Sequence, residues 1–191
     1  MELLPNFSLV RPQSVAEAVA ARAGSGEIRF LAGGTDLLPA LRRGLMQANT
    51  VIDLSDVAEM RGISFDSKGV RIGAGTTIAQ LAADATVLRD YPAVAAAALA
   101  IAGPTHRAVG TVGGNLCLDT RCRYYNQSEP WRTANDFCMK LAGDTCRVAP
   151  KSDRCYAAYS GDLAPALMVH GAVAEIAGPG GVRHAPLADM F

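Results

Sequence analysis

No apolar run in this chain is long enough to cross a bilayer. The longest, residues 93–102, is about ten residues, roughly half of what a membrane-spanning helix needs. It lies between Pro92 and Gly103-Pro104 and reads as a buried helix opened by proline. Charge of one sign is missing too: 18 Lys and Arg face 18 Asp and Glu, for a net charge of zero. That balance argues against nucleic acid or an anionic membrane as the main partner. The start, Met1-Glu2-Leu3-Leu4-Pro5-Asn6, has neither a basic stretch nor an apolar core. No secretory signal is therefore expected, and a cytoplasmic location is. The three histidines, His106, His170 and His184, are scattered, with no H-x-x-x-H spacing and no Ser/His/Asp pattern. Neither G-x-x-x-x-G-K-[ST] nor G-x-G-x-x-G occurs, so nucleotide hydrolysis and a Rossmann fingerprint both lack support. There is no internal repeat.

What is present is an Ala/Gly/Leu-rich chain of 191 residues, half of them hydrophobic, enough for one sizeable core or two small ones. Ser14-Val15-Ala16-Glu17 is a capping-box pattern opening a helix to about Ala23. Residues 28–31 predict a short strand, 36–43 a short helix and 51–54 a second strand. Residues 69–76 alternate as a strand, and Thr77-Ile78-Ala79-Gln80 is another capping box. Helical or extended apolar chain is expected over 163–169, then a hairpin around Gly178-Pro179-Gly180-Gly181. The reading is α+β in two lobes, residues 1–55 and 56–191, with the boundary near 55–61.

Two glycine pairs, Gly33-Gly34 and Gly113-Gly114, each follow an apolar stretch. Glycine lets backbone approach a ligand and aim successive N–H groups at it, which suits a pyrophosphate; each pair also fits a plain tight turn. The cysteines say more. Four of the five, Cys122, Cys138, Cys146 and Cys155, fall at about 119–159, together with the only tryptophan and four of the five tyrosines. Their gaps of 15, 7 and 8 residues include no C-x-x-C pair, so the spacing suits a site assembled from separate loops. An iron–sulfur centre, a structural zinc and, in an oxidising compartment, two disulfides all use four cysteines. Seven Arg or Lys residues in the same segment can offset thiolate charge. Cys117, before the segment, reads as a small buried apolar residue.

The stretch Leu31-Ala32-Gly33-Gly34-Thr35-Asp36-Leu37-Leu38-Pro39, followed by Gly110-Thr111-Val112-Gly113-Gly114-Asn115-Leu116, resembles the paired flavin loops of the molybdenum hydroxylase flavoprotein subunits. Phe7-Ser8-Leu9-Val10-Arg11-Pro12, Arg71-Ile72-Gly73-Ala74-Gly75-Thr76-Thr77 and Ser160-Gly161-Asp162-Leu163-Ala164-Pro165 are similar to the same family. The resemblance implies a two-lobed FAD-binding fold of the vanillyl-alcohol oxidase type. Leu31, Ala32, Gly33, Gly34, Thr35 and Asp36, with Thr111, Gly113, Gly114 and Asn115, would hold the FAD diphosphate. Ile101 would lie near the isoalloxazine or ribityl chain, and Asp162 would be an acidic flavin contact as well as a candidate helix N-cap.

In most of the family a short connection joins the Gly-Gly-Asn loop to the Asp-Leu-x-Pro segment; here 46 residues separate Asn115 from Asp162. Cys122-Arg123-Tyr124-Tyr125-Asn126 and Lys151-Ser152-Asp153-Arg154-Cys155-Tyr156 resemble the cysteine-bearing insertion of the FAD-binding beta subunits of 4-hydroxybenzoyl-CoA reductases. That likeness implies a 4Fe–4S cluster on Cys122, Cys138, Cys146 and Cys155. It also implies an electron-relay role with no catalytic residue in this chain. The implied partners are a large molybdopterin subunit, a small subunit with two 2Fe–2S clusters, and ferredoxin as electron donor, assembled as a dimer of heterotrimers. Related subunits continue past the match to residues 185–191 into a third domain, which this chain is expected to lack.

Overall fold

The computed structural model describes residues 3–67 and 69–191. The chain opens with β1 (Ser8–Val10), α1 (Val15–Arg22), β2 (Ile28–Leu31), α2 (Leu37–Arg42) and β3 (Thr50–Asp53). The three strands form one parallel sheet in the order β1-β3-β2. The central strand β3 buries Val51 and Ile52 completely, although the two side chains point to opposite faces. Ser14 caps α1 by accepting from the Glu17 N–H at 3.2 Å. The Glu17 carboxylate does not complete the expected box; it accepts instead from the Gln13 N–H at 2.8 Å.

Two 3-10 turns, Leu54–Asp56 and Ala58–Met60, lead on from the sheet around a fully buried Val57. An antiparallel hairpin follows, β4 (Ile63–Asp66) and β5 (Gly69–Ile72). The strand expected over 69–76 stops at Ile72, because the chain then turns onto the first 3-10 pair. Gly75 N–H donates to the Met60 carbonyl at 2.6 Å, and a Cβ on Gly73 would lie 2.4 Å from that oxygen.

The helical part that follows comprises α3 (Ile78–Ala83), α4 (Ala85–Asp90), α5 (Pro92–Ala100), α6 (Pro104–Val109), α7 (Val112–Leu116), α8 (Glu129–Ala134) and α9 (Leu163–Val169). The Thr77–Gln80 capping box is complete in both directions. The chain then forms the hairpin β6 (Val173–Gly178) and β7 (Gly181–Pro186). Ile78, Leu81, Val87, Val94, Ala98, Val112, Leu163 and Leu167 make the core here. Burial of that size, at about 1.5–3 kcal/mol per large apolar side chain, is what holds short helices that would not persist alone.

The cysteine-rich segment is pinched at its neck. Arg121 and Ala158 form an isolated antiparallel bridge, N–H to carbonyl at 2.6 and 3.0 Å. Between them α8 is the only helix and there is no strand among the described residues.

Candidate cofactor site

The two glycine turns meet. Gly33 lies so close to the end of α6 that a Cβ there would sit 2.0 Å from the Val109 carbonyl oxygen and 2.8 Å from the Cα of Gly110. Gly110 leads directly into the second turn. The first turn needs Gly34 for a second reason: its φ is +72°. Among the described residues, the N–H groups of Gly33, Gly34, Thr35 and Asp36 donate to no protein acceptor. Four unspent donors in a turn free of Lys and Arg are free to hydrogen-bond an anionic group.

The second turn is built differently from the sequence expectation. It is not a loop but the short helix α7, capped by Thr111, whose hydroxyl accepts from the Gly114 N–H at 3.1 Å. Its amides already have acceptors: Gly113 donates to Ala74 at 2.8 Å and Asn115 to Thr111 at 3.0 Å. Gly113 is required by packing, since a Cβ would fall 2.8 Å from that of Ala74. Asn115 turns inward, and its side-chain oxygen accepts from the Leu163 N–H at 3.0 Å. It therefore caps α9. Asp162, the expected cap, makes no capping bond and its side chain is exposed, available to a ligand.

Tyr159 is a residue that sequence reasoning passed over. Its hydroxyl donates towards the carbonyls of Asn115 and Leu116 at 3.2 and 3.1 Å, tying the end of the insertion to α7. Burial first, then the nearby Cys117 and Asp162, push its pKa up to about 12. Ile101 ends α5 beside Ala102, whose φ of +42° is left-handed. Arg107 donates to the carbonyls of Ile101 and Ala102 at 2.8 and 2.7 Å and holds that bend in place.

The four clustered cysteines, far apart in sequence, line one cavity together with Tyr124, Tyr125, Met139, Lys140, Arg147 and Ala157. Cys117 is not part of it; the structure leaves it exposed and not buried as expected, because it sits at the end of the α7 turn, though partial desolvation by its neighbours raises its thiol pKa. Cys138 and Cys146 are buried; Cys122 and Cys155 reach towards the surface. The carbonyl of Cys138 accepts from Leu141, Ala142 and Gly143, which fixes the turn that carries it. Asp136 and Phe137 before it are both left-handed, at φ +53° and +55°, and Arg147 binds the neighbouring carbonyls of Asn135 and Phe137. Backbone N–H groups of Ala149 and Tyr156, aimed at the Cys146 sulfur, hold its thiol below the usual range, which favours a thiolate.

Among the described residues no three His, Cys, Asp or Glu side chains converge as ligands of a single ion. The free volume, about 10 Å³, holds one water-sized sphere. A cubane carries its thiolates on four separate irons, farther apart than the ligands of one ion. Four thiols lining one cavity fit such a group in kind.

Two cations, Lys140 and Arg147, line this cavity. Lys140 lies 5.0 Å from the Tyr125 ring centre and bonds Asp119. Arg132 is only 2% exposed, yet has no carboxylate partner among the described residues and an unpaired Nε. It donates to the Gly44 carbonyl at 2.9 Å, while the Tyr125 hydroxyl donates to that of Leu45 at 3.0 Å. The insertion thus packs on the turn after α2, with Cys138 and Tyr125 sharing a small core with Ala40 and Leu45.

Residues 5–191 match the family described as the FAD binding domain in molybdopterin dehydrogenase. The xanthine dehydrogenase FAD-binding subunit of Escherichia coli O157:H7 is 41% identical over 108 residues, 56% of this chain and 37% of that protein. The aldehyde oxidoreductase FAD-binding subunit PaoB of Escherichia coli K12 is 32% identical over 97% of this chain and 60% of its own length. A solved carbon monoxide dehydrogenase from Hydrogenophaga pseudoflava superimposes with a TM-score of 0.73 at 27% identity, covering 99% of this chain and 53% of that one. The chain thus spans between about a third and three fifths of the length of these relatives.

Proposed function

The chain belongs to the family of FAD-binding domains of molybdopterin dehydrogenases, and from that premise we propose that it is the electron-relaying FAD domain of a multi-subunit molybdenum hydroxylase. The observation that carries the reading is the meeting of the two glycine turns around four unspent amides. Leu31, Ala32, Gly33, Gly34, Thr35 and Asp36 hold the diphosphate. Thr111, Gly113, Gly114 and Asn115 shape the opposite wall, more by close packing and the Thr111 hydroxyl than by free N–H groups. Ile101 lines the flavin, and the exposed Asp162 contacts it. FAD supplies the ability to take up and release electrons singly or in pairs. This chain's residues bind it, orient it and keep water away; none acts as an acid or base on a substrate. The division into lobes at 1–55 and 56–191 then frames the cofactor between two surfaces.

The insertion at about 119–159 adds a second redox site. Four thiols on one cavity, flanked by Lys140 and Arg147 with Arg132 buried nearby, suit a 4Fe–4S cluster on Cys122, Cys138, Cys146 and Cys155. The negative charge of the ligated cluster would balance those cations. With such a cluster the chain resembles the FAD subunit of a 4-hydroxybenzoyl-CoA reductase, relaying electrons from ferredoxin to a partner's 2Fe–2S clusters and the molybdopterin subunit. The complex would be a dimer of heterotrimers in the cytoplasm.

A second reading has its own support. The likeness to PaoB covers 97% of this chain and therefore crosses most of the insertion, which favours an aldehyde-oxidising complex. Assaying the native complex with 4-hydroxybenzoyl-CoA and a low-potential donor, and separately with aldehydes and an acceptor, decides between the two. Turnover of the thioester alone supports the reductase; turnover of aldehydes alone replaces it.

A further inference from the structure

The first glycine turn contains one formal charge, and it has the wrong sign for a diphosphate. Asp36 closes the turn Ala32-Gly33-Gly34-Thr35-Asp36, and its own N–H is the last of the four amides that lack acceptors. A carboxylate there repels an anionic ligand across a few ångströms. The structure supplies its counter-charge from far along the chain: the Arg121 guanidinium bonds the Asp36 carboxylate. Arg121 is the residue at the neck of the insertion, and its backbone is fixed by the bridge to Ala158. Its side chain is thus aimed from a rigid anchor, which cuts the entropy lost in making the pair.

We propose that Arg121 is a positioning residue of the flavin site: it neutralises Asp36 and so makes the first glycine turn fit for an anionic diphosphate. The inference rests on the reading of that turn as the diphosphate cradle. It gives the insertion a role in flavin binding that does not depend on any metal. The pair is partly exposed, at 41% and 31%, so its loss disturbs folding little while changing the local potential.

The test is a cycle of four proteins in the native complex after removal of flavin: unsubstituted, Arg121→Ala, Asp36→Asn, and the double variant. FAD affinity is read from the quenching of flavin fluorescence, with inorganic pyrophosphate as competitor and thermal unfolding as a check on folding. Arg121→Ala is expected to weaken FAD about threefold to tenfold at low salt, with the loss shrinking as ionic strength rises. The double variant is expected to bind FAD as well as Asp36→Asn does, because no carboxylate is left to neutralise. Equal affinity for Arg121→Ala and the unsubstituted chain overturns the inference. So does a double variant as weak as Arg121→Ala, which would mean that Arg121 acts through the insertion's neck and not by charge. Unsubstituted protein that takes up no FAD overturns the flavin reading and this inference with it.

Discussion

Gly33 and Val109 are in backbone contact: a Cβ on Gly33 would stand 2.0 Å from the Val109 carbonyl oxygen. Any side chain at position 33 therefore drives the first turn away from α6 and opens the cradle. Gly33→Ala is expected to cost about 1–3 kcal/mol of stability and to weaken FAD binding, whereas Gly180→Ala, with open space around its Cβ, changes neither. Denaturant unfolding and flavin titration check both.

Asn115 and Asp162 separate capping from ligand contact. Asn115→Ala leaves the Leu163 N–H without its acceptor at the start of α9 and is expected to cost about 1–2 kcal/mol. Asp162→Ala breaks no capping bond and is expected to leave stability within about 0.5 kcal/mol while lowering flavin affinity. If Asp162→Ala unfolds the domain and spares the flavin, its role is structural.

Tyr159 makes alkaline stability measurable. Its pKa is raised from 10.0 to about 12, so the folded state holds the proton more tightly than the unfolded one. The stabilisation is complete below about pH 10 and is lost as pH rises towards 12. Tm is expected to fall across that window, and Tyr159→Phe is expected to flatten the fall. An identical fall in the variant would assign it to another group.

The cysteines divide into one set and one outsider. Cys138→Ser is expected to abolish iron binding and to loosen 119–159 in hydrogen exchange while bound flavin remains. Cys117→Ser, outside the cavity, is expected to retain full iron. The reverse pattern would mean a different ligand set.

Much of the fold could be read from local chemistry. Ser14, Thr77 and Pro92 begin helices because capping and ring geometry act within a few residues. The hairpin at Gly178-Pro179-Gly180-Gly181 formed for the same reason. Apart from Glu17, which turns to the Gln13 N–H four residues back, the misses involve partners distant in sequence. Glycines at 113 and 114 suggest a loop, yet the buried Val112 and the Ala74 contact draw that turn into a helix. Asp162 has the side chain of a cap, but Asn115 reaches the Leu163 N–H from 48 positions away. The ion pair of Arg121 with Asp36 follows from the docking of the neck, which no periodicity reports. The cysteine cluster was legible as a set sharing one site, since its residue type is rare and its gaps suit separate loops; the turns that bring the four together were not, because irregular chain without strands leaves no pattern to read.

The most direct test of the account is a count of metal and sulfide in anaerobically purified native complex. About four irons and four acid-labile sulfides per chain, beyond those of any partner clusters and lost on Cys138→Ser, are predicted. One zinc per chain without that iron, or thiols paired as disulfides, would contradict it.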